Sequence, residues 1–315
     1  MSKPDILVVG KRPEWYFRSL EEEFTVHRAP DDDPAHVSPD LAKRVEALTS
    51  SSIVGRRMID ALPALRLVAS GAAGYEKIDV GALRERGIPL TNTPSVTDGC
   101  VADMAFALLL AAARSVAAAD RFIRAGRWPT EEFPLVPRVF GRRLGILGMG
   151  RIGVEVAKRA AGFDMPVSYH NRSPVRGSPH TYCATLLELA QSSDFLIVAC
   201  PGGAETRHIV NQAVLEALGP TGVVVNIARG SIIDQQALTQ ALAQGRIMAA
   251  GLDVFENEPH VPPELASLEN VVLTPHRGGG THQTWRAACE LVKANLRAHF
   301  RGEPLVTPVD ITSDG

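Results

Sequence analysis

The run Gly148-Met149-Gly150-Arg151-Ile152-Gly153 restricts the fold of this chain more than any other feature. It follows an apolar run, Leu144–Leu147, and opens a helical pattern in which Val154, Val156 and Ala157 are placed to pack inward. A second strand, Val167–His170, is expected next. Strand, glycine turn, helix and second strand form the unit that holds a dinucleotide. The first glycine permits a tight turn, the second lets backbone approach a pyrophosphate, and the third lets helix pack closely on strand. The helix start adds unpaired N–H groups and partial positive charge for the phosphates. A purely structural glycine turn is the alternative that the pattern leaves open.

The same rhythm of short β-branched runs and helical patterns continues almost from end to end, which predicts parallel α/β architecture. In the first third, Ile6–Gly10, Arg66–Ser70 and Ile88–Asn92 read as strands, with a helix over Asp79–Arg86. A long helix from about Gly99 to Arg114 then interrupts the series. After Val167–His170, further strands are expected at Phe195–Ala199, Val223–Asn226, Met248–Leu252 and Val271–Thr274. The last helix runs from near Thr281 to about Arg301. A length of 315 residues exceeds one ordinary core of about 100–150 residues, so two parallel-sheet domains meeting at a cleft are expected.

Composition narrows the partners. With 33 Lys and Arg against 35 Asp and Glu, the chain lacks the basic surplus of a nucleic-acid binder. The longest apolar stretch, Val101–Ala113, contains Asp103 and is too short to span a bilayer. The start has an apolar run shorter than a signal-peptide core. Cys100, Cys183, Cys200 and Cys289 are scattered without zinc-ligand spacing, so no metal is expected, and reduced thiols in a cytoplasm fit best.

The Val167–His170 strand leads into Asn171-Arg172-Ser173, with Arg176 close behind. An NAD site normally has a carboxylate here, about 20 residues past the glycines, for the ribose 2′-hydroxyl. Asn171 removes that charge, and Arg172 offers a planar fork of donors to a 2′-phosphate. NADPH is therefore favoured, with NADH as a second choice. An ordinary basic surface loop is the alternative.

Three later strand ends carry chemistry: Asn226-Ile227-Ala228-Arg229-Gly230, Gly251-Leu252-Asp253 through Glu258-Pro259, and Leu273-Thr274-Pro275-His276-Arg277-Gly278-Gly279. Ligands of open α/β sheets gather outside the carboxyl ends of strands, so Arg229, Glu258 and His276 are candidates to converge. Arginine binds and polarises a 2-oxo acid, histidine delivers a proton as hydride arrives, and glutamate orients and charges the histidine. A carboxylate neighbour favours imidazolium near neutral pH. Taken singly, each has a bland alternative: a turn cap for Arg229, a solvated side chain for Glu258, a surface histidine for His276.

The set GILGMGRIG, VNIARGSIID, GLDVFENEP and LTPHRGG resembles the D-isomer-specific 2-hydroxyacid dehydrogenase family over nearly the whole chain, including SGAAGYEKID and RGEPLVTPV. Tyr169-His170-Asn171-Arg172-Ser173 makes it most similar to the glyoxylate/hydroxypyruvate reductase branch. The resemblance implies Arg229 as substrate-binding and polarising group, Glu258 as support and His276 as acid/base. It implies that Ala73 and Gly74 offer backbone N–H groups to the substrate carboxylate, although a plain loop turn is the alternative reading of Gly71–Gly74. Beside the glycine loop and Asn171-Arg172-Ser173, the implied cofactor contacts are Cys200, Pro201 and Thr206, then Ile227 and Ala228. Asp253, at the nicotinamide carboxamide, joins His276, Gly278 and Gly279 in the same set. Cys200 also reads as a structural thiol, and Trp285 as a pocket, core or dimer-contact residue.

The implied layout is a flavodoxin-like substrate domain of residues 1–98 and 285–315, interrupted by a Rossmann domain of residues 99–284. A homodimer is expected, because the helix ADMAFALLLAAARSV is apolar around more than one face and Arg121–Arg138 resembles the family's partner-crossing arm. Two other readings are a dinucleotide-sensing corepressor on the same fold and a phosphoglycerate-type NAD enzyme. A sensor needs no proton donor, and many of the latter carry an additional C-terminal regulatory domain.

Overall fold

Two parallel sheets organise residues 3–312, the residues that the computed structural model describes. The first holds β1 (Asp5–Val9), β2 (Thr25–Ala29), β3 (Ala47–Ser50), β4 (Leu67–Ser70) and β5 (Leu90–Thr91). The second holds β6 (Leu144–Leu147), β7 (Val167–His170), β8 (Thr181–Tyr182), β9 (Phe195–Val198), β10 (Val223–Asn226), β11 (Ala249–Leu252) and β12 (Val271–Leu273). A terminal strand, β13 (Pro308–Val309), returns antiparallel to β5. The strand orders are β13-β5-β4-β3-β1-β2 and β12-β11-β10-β9-β6-β7-β8. The chain divides into two units, Met1–Thr97 with Thr281–Gly315, and Asp98–Gly280.

The central strands β6, β9, β10 and β11 of the second sheet are buried on both faces, which is why they read as mostly apolar runs. Ile146, Phe195, Ile197, Val223 and Val225 pack with the helices Asp98–Ala113 and Arg151–Ala161. Leu147, Leu196, Val198 and Val224 face the other way, toward Leu189, Leu215 and Leu238. In the helix after the glycine loop, Val156, Ala157 and Ala160 are buried as the period requires. Val154 is not: it lies 41% exposed, because Gly153 occupies the inward position beside it.

The first sheet departs further from the expected pattern. Thr25-Val-His-Arg-Ala and Ala47-Leu-Thr-Ser form strands without an apolar run to announce them. His27 and Arg28 lie on an edge strand, where polar side chains reach solvent or an ion pair. Conversely, Ile88–Asn92 contributes only the two-residue β5.

The apolar circumference of helix Asp98–Ala113 is largely used inside the chain. Val101, Ala102, Ala105, Phe106, Leu108 and Leu109 are buried, and Gly251 lets the helix backbone approach β11. Its composition is therefore no argument for a partner. The following segment is different: Ile123, Trp128, Leu135 and Phe140 are each more than half exposed. No single helix among the described residues is long and apolar enough to cross a membrane.

Asp194 ties the starts of β6 and β9 together. Its carboxylate accepts from the backbone N–H of Arg143 at 2.9 Å and from the same residue's guanidinium at 3.1 and 3.2 Å. Arg142 approaches it at 3.2 Å. Burial would push the carboxyl up, but the hydrogen bonds from Arg143 and the charges of both arginines hold it below the usual range. A depressed folded-state value stabilises above the unfolded value of about 3.9 and is lost as pH falls through the folded one. Asp194→Asn should cost about 1–3 kcal/mol at neutral pH. Denaturation midpoints should differ between wild type and variant near pH 7, and the gap should close as acid protonates the carboxyl below its depressed folded value. A gap that persists in acid contradicts this account.

Candidate active site

The glycine loop sits where the strand order of the second sheet reverses, between β6 and β9, the usual ligand position in such sheets. Gly148 has φ +102°, and a Cβ there would lie 2.5 Å from the backbone nitrogen of Cys200. A Cβ on Gly153 would lie 2.2 Å from the Gly148 carbonyl oxygen. Gly150 differs from both, since a Cβ would meet nothing within 4 Å. Its freedom serves the open space in front of it. Gly150 also caps the helix Arg151–Ala161 with no side-chain hydrogen bond, leaving the helix N-terminus for an anion. The loop fits a pyrophosphate.

Around this loop the expected cofactor residues take unequal parts. The Met149 side chain is buried, and its N–H donates to Asn171 Oδ1 at 2.7 Å. Asn171 thus fastens the loop to the end of β7, as well as removing a charge. Arg151 donates to Asp98 Oδ2 at 3.1 Å, and Ile152 packs partly against the core. Ser173 is exposed. Thr206 donates to the Pro201 carbonyl at 2.9 Å and closes the turn after β9. Burial pushes the Cys200 thiol up to about 11, so it stays protonated and fits the structural role. Ile227 and Ala228 bury their side chains, which leaves only backbone for a ligand.

Arg172 pairs with Glu205 at 3.3 Å, both side chains being largely exposed. Sequence spacing gave no sign of this acid, which comes from the β9 loop, 33 residues away. An exposed pair of this kind is weak and exchangeable. Arg176 lies on a separate cavity of about 440 Å³ with Lys158, Val154 and Val175, which does not include Arg229, Glu258 or His276.

Arg229, Glu258 and His276 follow β10, β11 and β12, three adjacent strands, and leave the sheet at one edge. His276 Nδ1 and Glu258 Oε2 are 2.8 Å apart. Nδ1–H donates to the carboxylate, so Nε2 is the nitrogen left to meet a substrate. Glu258 Oε1 accepts from the Phe255 N–H at 3.3 Å. Arg229 is half-buried and donates to the Ala228 carbonyl at 2.7 Å. Gly202 makes room for its stem, since a Cβ there would lie 2.7 Å from Arg229 Cγ.

Several residues support the site in ways that the motifs did not show. Asn226 accepts from the Ala228 N–H and donates to the Arg229 carbonyl, shaping the turn that presents Arg229. Glu256 accepts from His208 and from Arg207, and its N–H donates to Gln235, anchoring the loop that carries Glu258. Above all, Asp253, 2% exposed, accepts from the Thr274 hydroxyl at 2.6 Å and from the N–H groups of Arg277 and Gly278, both at 2.7 Å. His276 between them adopts φ +53°, a conformation costing about 1–2 kcal/mol for a residue with a Cβ. Gly279 follows, half-buried. Asp253 is therefore first the staple of the histidine loop. Its position in the sequence suggested a ligand contact alone.

In the other unit, Ala73 and Gly74 lie on the turn after β4. The carbonyl of Ala72 accepts from the Thr93 N–H, and that of Ala73 from the Asn92 amide at 2.7 Å. Among the described residues, the N–H groups of Ala73 and Gly74 donate to nothing. Two adjacent unpaired donors suit a carboxylate.

Residues 106–278 match the family described as D-isomer specific 2-hydroxyacid dehydrogenase, NAD binding domain. A hydroxyphenylpyruvate reductase of Plectranthus scutellarioides is 47% identical over 85% of this chain and 86% of its own length. A glyoxylate/hydroxypyruvate reductase A of Arabidopsis thaliana is 49% identical over 80% of this chain and 81% of its own. Among solved structures, an NADPH-dependent glyoxylate/hydroxypyruvate reductase of Sinorhizobium meliloti, in complex with NADP and malonate, superposes with a TM-score of 0.92. It is 43% identical and covers 99% of this chain and 98% of that one.

Asp253→Asn tests the staple. An amide must turn a donor toward one of the two backbone N–H groups, leaving it unpaired in a buried place at about 1–3 kcal/mol. Turnover is expected to fall at least about tenfold with a lowered melting temperature, since a misplaced acid loses its near-attack geometry. Wild-type turnover in this variant rules the staple out.

Proposed function

The chain belongs to the D-isomer-specific 2-hydroxyacid dehydrogenase family, and on that premise we propose that it reduces small 2-oxo acids, glyoxylate and hydroxypyruvate among them, to D-2-hydroxy acids with NADPH. The observation that carries this reading is the His276–Glu258 contact of 2.8 Å on the strand end next to Arg229. NADPH, when bound, supplies the hydride. Arg229 holds the 2-oxo acid and draws electron density to its carbonyl oxygen. His276 gives its Nε2 proton to that oxygen as the carbon is reduced, and Glu258 stabilises the charged imidazole before the transfer. Ala73 and Gly74 direct their N–H groups at the substrate carboxylate. Asp253 retains lone-pair capacity for a carboxamide while it staples the loop.

The protein is further proposed to work as a homodimer in a cytoplasm, with the exposed apolar segment around Trp128 and Leu135 covered by a second copy. Light scattering at micromolar concentration should give twice the chain mass; a monomer contradicts it.

Cofactor choice follows from Asn171 and Arg172. Asn171 does not repel a 2′-phosphate, and the phosphate takes the place of Glu205 on Arg172. Since Arg172 is exposed and Glu205 opposes the incoming charge, the expected preference in kcat/KM for NADPH over NADH is about tenfold. Initial rates with glyoxylate and hydroxypyruvate should show it in the wild type. Asn171→Asp with Arg172→Ala should reverse it, adding repulsion while removing attraction. Equal efficiencies in the wild type, or an unchanged ratio in the double variant, would refute the cofactor assignment; no turnover of either acid would refute the reductase.

A further inference from the structure

The loops after β1, β3 and β4 leave adjacent positions of the first sheet and meet at its carboxyl edge. Arg12, from the first, donates through one terminal nitrogen to Ser51 Oγ, from the second. Its other terminal nitrogen donates to the Lys11 carbonyl at 3.2 Å, and the guanidinium lies 5.5 Å from the centre of the Tyr16 ring. Ser51 and Tyr16 in turn press on the third loop. A Cβ on Gly71 would lie 3.1 Å from Ser51 Oγ and 3.7 Å from Tyr16 Oη, and the Gly71 N–H donates to the Ser50 carbonyl at 2.7 Å. Gly71 opens the turn that carries the undonated N–H groups of Ala73 and Gly74.

Some other arginines of this unit sit in carboxylate pairs, Arg28 with Glu14, Arg56 with Glu85 and Arg297 with Glu23, whereas Arg86 donates to the carbonyls of Ile59 and Leu62. Among the described residues, Arg12 has no such pair, although it is partly buried. A guanidinium has five N–H donors, and the hydrogen bonds to Ser51, Lys11 and the Tyr16 hydroxyl leave two of them for a ligand. An oriented, unneutralised donor set beside a carboxylate-binding turn is suited to an oxygen acceptor on the neighbouring part of the same ligand.

We infer that Arg12 is a specificity-determining residue that selects 2-oxo acids bearing an oxygen acceptor on C3. The inference rests on the reductase reading and on the Ala73–Gly74 turn as the carboxylate site. With the C1 carboxylate held by the turn, the C3 substituent is the part of a small 2-oxo acid able to extend toward Arg12. A C3 hydroxyl accepts from the guanidinium, whereas a C3 methyl displaces water from those donors and offers no acceptor in its place.

The test is kcat/KM for hydroxypyruvate and for pyruvate, which differ only in the C3 oxygen, with glyoxylate as the acid lacking C3. Wild type, Arg12→Met and Arg12→Lys are compared with NADPH as cofactor. The hydroxypyruvate-to-pyruvate ratio should fall about tenfold in Arg12→Met, the size of one charge-assisted hydrogen bond. Arg12→Lys, which keeps the charge but not the fork, should fall between the two. An unchanged ratio in both variants, or equal losses for both acids, overturns the assignment of Arg12 and leaves the reductase intact. A wild type inactive on all three acids overturns the reductase reading and this inference with it.

Discussion

A buried carboxylate governs the active edge of this protein. Asp253 leaves the end of β11 and spends its two oxygens on the loop after β12, accepting from Thr274, Arg277 and Gly278. Those bonds replace hydration that a 2% exposed anion has lost, and they hold His276 in a left-handed conformation. With the ring so placed, Glu258 reaches Nδ1 and fixes which nitrogen faces outward. Release of Asp253 would free the loop to relax, and the histidine would lose its aim before it lost any chemistry.

The sheet supplies the rest of the positioning. Parallel strands end together, so β10, β11 and β12 deliver an arginine, a glutamate and a histidine from segments far apart in the chain. The glycine loop uses the one place where neighbouring strands turn to opposite faces, and Gly150 keeps the helix N-terminus open there. The family match and the glycine loop agree on a dinucleotide-binding domain in the unit Asp98–Gly280.

Much of this was legible because burial on both faces writes itself into sequence. β6 and β10 fall on the residues where mostly apolar runs put them. β2 and β3 did not announce themselves, since Thr25, His27 and Arg28 make β2 mostly polar on an edge and Ala47–Ser50 is half hydroxyl-bearing. Val154 and the helix Asp98–Ala113 show the limit of periodicity: it finds apolar residues, but the neighbour that covers them is a tertiary fact. The arginine, glutamate and histidine could be named as candidates from strand ends, whereas the hydrogen bonds that position them could not. Asp253, Asn226 and Gln235 act on backbone groups and Thr274 on the Asp253 carboxylate, and a polar residue at a strand end looks the same whether it grips a ligand or a loop. Glu205 was invisible for a related reason, being placed opposite Arg172 by the crossing of two loops.

The account stands on His276 as the proton donor of the reductive step. Its most direct test compares wild type with His276→Ala in turnover of glyoxylate and, separately, in NADPH affinity by fluorescence titration. Loss of a positioned acid should lower kcat by about 10²–10⁴-fold while the NADPH Kd stays within a small factor of wild type. Turnover near the wild-type level would contradict the assignment.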